Sequence, residues 1–161
     1  MTENTPAATQ PPPADHTVVV RVGPDALLAD VQAGRHTFII DEPVAVGGHD
    51  RGPTPYDMLL SALGACTAIT LRLYANQKQW PLEGVEVRLS HGREHRLDCE
   101  QCEQEAGANL EVVRKQLRLL GPLTAEQRQR LEVISAKCPV QKTLSKSLRI
   151  ETTLVPADAW V

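Results

Sequence analysis

Four cysteines, Cys66, Cys99, Cys102 and Cys138, hold most of the chemistry this chain can offer. Cys66 lies in the middle of "LLSALGACTAITL" (59–71), a stretch without a single charge. A thiol in such a place is either a small core residue or a nucleophile in an apolar pocket. Burial alone raises its pKa, so reactivity would require a nearby cation or a helix terminus. Cys138 directly precedes Pro139. If Pro139 opens a short helix, Cys138 stands at its N-terminus, where the helix dipole favours thiolate. Equally, Cys138 ends the preceding helix as a core residue.

The remaining two cysteines fall in "HGREHRLDCEQC", with His91 and His95 before them. His91, His95, Cys99 and Cys102 supply four soft ligands, the number a tetrahedral zinc site takes. The order is not that of the usual zinc fingers. The C-x-x-C pair also suits a redox dithiol, or an acidic loop with incidental cysteines. "VGGHDRGP" (46–53) is rich in glycine but has neither the lysine–serine ending of a phosphate loop nor the dinucleotide glycine spacing. It reads as a flexible lip over the helix that follows.

The elements that must position these thiols are legible in outline. "HTVVVRV" (16–22) reads as a strand, and 26–34 and 35–43 as two more, the first turn being "GPD". Thr54 is a good N-cap, Pro55 suits the first helical position, and Asp57 completes a capping box. The helix they open runs to about Gln77. Its leucines and isoleucines lie on more than one face, so most of its surface calls for cover from the rest of the fold or from a second subunit. A strand is predicted over 84–96, followed by an acidic connector. Residues 110–121 fit a strand as well as a short helix. Thr124 and Gln127 form a second capping box, for a helix to about Ala136. A short helix at 139–146 and a last strand, "SLRIETTLV", close the chain. The order implies one α+β domain over 16–161, with a disordered proline-rich tail at 1–15.

Composition narrows the function classes. Charged residues make up 23% and hydrophobic ones 42% of 161 residues, ordinary for a soluble globular protein. A net charge of −3 speaks against a nucleic-acid surface. The uncharged run Met58 to Leu71 is short for a membrane span. The opening residues lack the features of a signal or transit peptide, so the expected place is the cytoplasm, where thiols stay reduced unless redox chemistry is their task.

"DEPVAVGGHDRGPTPYDMLLSALGACTAITLRLYA", with the later "SAKCPVQKTL", resembles the OsmC/Ohr family of osmotically inducible and organic-hydroperoxide-resistance proteins. The likeness covers most of 26–155. It implies an α+β fold with a long buried central helix on antiparallel sheets, intertwined with a second copy as a homodimer. It implies thiol-dependent reduction of organic hydroperoxides without a cofactor, the electrons coming from a dithiol reductant. Cys66 matches the family's peroxide-attacking cysteine and Cys138 its resolving one, the two closing a disulfide. Arg35 is the candidate for the arginine that activates the attacking thiol. The chain departs from the peroxidase pattern at Tyr56, where well-studied members carry glutamate. That departure supports a second reading, a homodimeric binding or redox-sensing protein on the same fold.

Overall fold

The computed structural model describes residues 17–24, 27–95, 109–146 and 148–156. The chain divides into two compact units, 1–58 and 59–161. The central helix begins in the first and runs through the second.

In the first unit, β1 (Val18–Val22), β2 (Ala29–Ala33) and β3 (His36–Ile40) form an antiparallel meander. Val31 of β2 faces Val20 on one side and Phe38 on the other, and it is buried. Between β2 and β3 the paired residues Ala33 and His36 leave a two-residue turn, Gly34–Arg35. Gly34 takes the positive φ of 59° that the first turn position demands, at no steric cost. The three strands are shorter than the sequence implied because turn and loop geometry claims their ends.

The glycine-rich loop after β3 is tied down by its own hydrogen bonds. A single turn of 3₁₀ helix, Val44–Val46, starts it. Asp41, 1% exposed, then organises it, accepting the amides of Glu42 (2.8 Å), His49 (3.1 Å) and Arg51 (3.1 Å). Burial pushes the Asp41 carboxyl up. The amides of Arg51, Glu42 and His49, with the charge of His49, outweigh that and hold it below its usual value. The loop closes so tightly that a Cβ on Gly48 would sit 1.8 Å from the Glu42 carbonyl oxygen.

The second unit is built on α1 (Pro55–Gln77), whose first residues lie in the first unit. Its capping box is formed as expected: Asp57 N–H donates to Thr54 Oγ1 at 3.1 Å, and Thr54 N–H to Asp57 Oδ2 at 3.0 Å. It ends in a Schellman motif, with Trp80 N–H on the Ala75 carbonyl and Gln79 N–H on that of Asn76. Gln79 takes the left-handed position, φ 55°, that glycine usually fills.

β4 (Gly84–His95) and β5 (Asn109–Leu120) form a long antiparallel ribbon. The ambiguous segment is therefore a strand, and residues opposite each other, such as Val87 and Leu117, share a face. α2 (Ala125–Ser135) has the predicted Thr124–Gln127 capping box, and α3 (Pro139–Leu144) begins at Pro139. Leu71 and Ala75 of α1 meet Leu82, Leu123, Leu131 and Ile134 in the core, with Val85, Leu117 and Leu119 of the ribbon packed on them.

The face of α1 that this chain buries is a single stripe, Leu63, Gly64, Thr67, Leu71 and Ala75, while Ile69 and Leu73 are 58% and 64% exposed, so the described residues cover one side of the helix. By length and composition α1 also suits a membrane span, but the chain's own core takes up its buried stripe. The last strand is not formed: residues 148–156 carry no regular structure, and Ile150 and Leu154 stand 85% and 97% exposed. A strand needs a neighbour for its backbone groups. Among the described residues none pairs with this segment.

Candidate functional site

α1 delivers Cys66 and the α2–α3 junction delivers Cys138. Cys66 sits one residue before the buried stripe position Thr67 and is half-buried. Cys138 is the N-cap of α3 and is fully buried. The fold brings them close enough for each thiol to shift the other's acidity.

The pair is electrostatically unequal. Burial pushes the Cys66 thiol up. Sharing its proton with Cys138, and facing the charge there, push it further, and the Val140 amide and Thr70 hydroxyl do not reverse this. Burial also pushes Cys138 up, but the Cys66 proton, the amides of Gln141 and Val140 and the Thr67 hydroxyl outweigh it, so its net direction is down. The Thr67 hydroxyl has one proton and donates it to the Leu63 carbonyl at 2.8 Å. The amides are therefore the steadier influence. They act as oriented dipoles, since neither closes a capping hydrogen bond on the sulfur. Of the two thiols, Cys138 is the more readily ionised.

The OsmC-like protein family model matches residues 48–153, well over half of the chain and including both cysteines. The chain belongs to the OsmC family. Solved OsmC-family structures share the fold. An OsmC-like protein from Mycoplasma pneumoniae superposes with a TM-score of 0.62 at 17% identity, over 82% of this chain and 88% of that one. An organic hydroperoxide resistance protein OsmC from Legionella pneumophila, also described as a predicted redox protein and regulator of sulfide bond formation, gives 0.58 at 16% identity, over 82% and 91%. An organic hydroperoxide resistance protein from Elizabethkingia anophelis gives 0.57 at 19%, over 80% and 86%. No curated protein sequence matches significantly.

The other residues singled out in this OsmC-family chain are placed as follows. Arg35 stands exposed in the β2–β3 turn of the first unit. Tyr56 and Asp57 lie in the first turn of α1, and the Asp57 carboxylate is occupied by the amide and hydroxyl of Thr54. Cys99 and Cys102 fall outside the described residues. His91, on β4, pairs through Nε2 with Glu111, whose other oxygen takes Arg93 Nε at 2.6 Å. Among the described residues no cluster of three or more histidine, cysteine or carboxylate ligands occurs.

Sequence reasoning missed Lys115 on β5. Its ammonium donates to the Ser135 carbonyl at 3.1 Å and to Gln141 Oε1 at 2.6 Å, on either side of Cys138. The signal was present in the strand period. Lys115 shares a face with Val113, Leu117 and Leu119 and with Leu89 and Val87 across the ribbon, where a cation is out of place.

Proposed function

We propose that this protein is a thiol-dependent peroxidase that reduces organic hydroperoxides to alcohols. The observation that carries the reading is the proximity of Cys66, which solvent can reach, to Cys138, which it cannot. Accessibility assigns the attack to Cys66, and the more acidic, enclosed Cys138 serves first as its base and then as its resolving thiolate.

The steps balance. The Cys66 proton passes to the Cys138 thiolate. Cys66 thiolate attacks the terminal oxygen of the hydroperoxide, the O–O bond breaks, and Cys66 becomes a sulfenic acid. The departing alkoxide takes the proton from Cys138 and leaves as alcohol. Cys138 thiolate then attacks the Cys66 sulfur, forming the disulfide and expelling hydroxide, which solvent protonates to water. A dithiol reductant returns both thiols and is itself oxidised to a disulfide. Arg35 is retained as the candidate activating cation, and no cofactor is called for. The uncharged stretch of α1 around Cys66 favours an alkyl hydroperoxide over hydrogen peroxide, because burying its tail is favourable.

A homodimer is part of the proposal. The exposed Ile69 and Leu73 of α1 and the unpaired 148–156 segment are the surfaces a second copy would cover.

One observation favours the second reading, a homodimeric binding or redox-sensing protein. The only carboxylate in the first turn of α1, Asp57, is spent on its capping box. Its Oδ2 is committed to Thr54, and its side chain is one methylene shorter than the glutamate of the peroxidase pattern. Steady-state turnover decides between them. The peroxidase consumes cumene hydroperoxide catalytically with a dithiol and favours it over hydrogen peroxide. A sensor stops after one equivalent per site.

A further inference from the structure

Lys115 is a cation on the apolar face of the β4–β5 ribbon. Leu89 is opposite it, and Leu117 and Leu119 follow on the same face. A half-buried ammonium in such a stripe costs desolvation that only good acceptors offset. Its two acceptors are well separated in the chain. The Ser135 carbonyl is at the end of α2 and the Gln141 side chain is within α3. Between them lie residues 136–140, the junction that carries Cys138.

We propose that Lys115 is a positioning residue of the thiol pair: reaching from β5, it ties Ser135 to Gln141 across the α2–α3 junction and balances the negative charge of the Cys138 thiolate held against Cys66. This deepens the thiol reading and rests on it only in taking Cys138 as a thiolate. The local charges support it. Burial pushes Lys115 down, and the one charge that pushes it back up is that of Cys138. The titratable and charged groups around Lys115 are few. Cys138, the N-cap of α3, acts on it directly. Glu132 and Arg128 of α2 line, with Lys115, an open groove of about 500 Å³. His91 lies one place along the same face of β4, paired with Glu111. Arg128 is committed to the carbonyls of Leu119 and Gly121. Glu132 does not reach ion-pair distance of Lys115 among the described residues. Cys138 is therefore the anion that Lys115 serves.

The test is a thiolate titration by absorbance at 240 nm on the full reduced chain carrying Cys99→Ser and Cys102→Ser, so that only the pair contributes. Lys115→Met and Lys115→Arg are compared with that parent, and circular dichroism monitors folding. At the pH where the parent has formed half of its first thiolate, Lys115→Met shows roughly threefold less, and Lys115→Arg recovers most of it. A Lys115→Met curve that superimposes on the parent's overturns the proposal. If Lys115→Met does not fold, the reciprocal coupling decides. NMR of the Lys115 ammonium in Cys138→Ser shows it losing its proton at lower pH than in the parent, and an unchanged titration overturns the proposal. The peroxidase reading fails separately, through absence of turnover in the parent, which leaves the titration result untouched.

Discussion

Cys66 and Cys138 are neighbouring but unequal thiols: Cys66 is half-buried with its pKa pushed up, and Cys138 is fully enclosed with its pKa pushed down. Their single mutants should therefore behave differently. Cys66→Ser should consume no hydroperoxide. Cys138→Ser should consume about one equivalent per chain, then stall as a sulfenic acid that over-oxidises in excess peroxide. Dimedone labelling separates the two. Equal residual activity in both would remove the distinction between attacking and resolving thiol.

Asp41 should give the fold an acid-sensitive element. Its folded carboxyl is held below the ordinary value, so it releases its proton more readily folded than unfolded. That contribution is present above the unfolded pKa of about 4 and is lost as pH falls through the folded value. Asp41→Asn should melt several degrees lower at pH 7, and the gap from wild type should close on acidification toward pH 3. Thermal melts across that range provide the check; a gap independent of pH would count against it.

Two glycine-to-alanine changes should have opposite weight. At Gly48 the new methyl meets a backbone oxygen at 1.8 Å, which cannot move without opening the loop, so Gly48→Ala should cost about 3 kcal/mol or more. At Gly64 it meets the end of Leu89 at 2.8 Å, a side chain that can turn aside. The helix gains about 1 kcal/mol of propensity there, so the net change should stay within about 1 kcal/mol. Urea unfolding of both variants measures the contrast.

The two sides of α1 should separate folding from association. Leu71 is fully enclosed, and Leu71→Ala should cost about 3 kcal/mol of stability. Leu73 is exposed, and Leu73→Glu should leave the chain folded but reduce a dimer to monomer by light scattering at micromolar concentration. A wild-type monomer under those conditions would contradict the dimer.

How much of this was legible depended on how local the cause is. The caps of α1 and α2 were, because Thr54–Asp57 and Thr124–Gln127 act within one turn. The two thiols were visible as residues, but their meeting depends on β4 and β5 folding α2 and α3 back onto α1. Asp41 falls inside the strand predicted over 35–43, and its organising role is not visible there because its three amide donors lie in a loop that only closes in three dimensions. Lys115 was hidden by the helix–strand ambiguity of 110–121. Once that segment is a strand, its lysine stands on the apolar face. The alternation in 147–155 was real, but a strand is a property of two segments, and none of the described residues supplies the second.

The central claim, that Cys66 and Cys138 are the working redox pair, is tested most directly by peptide mass spectrometry after one equivalent of cumene hydroperoxide. The fold brings the thiols near enough to couple electrostatically, and a disulfide requires their Cα atoms to come within about 7 Å. The predicted result is a Cys66–Cys138 disulfide, reversed by dithiothreitol, with Cys99 and Cys102 still alkylated as free thiols. Recovery of a Cys99–Cys102 disulfide with Cys66 and Cys138 both reduced would contradict the account and leave Cys66 a core residue of α1.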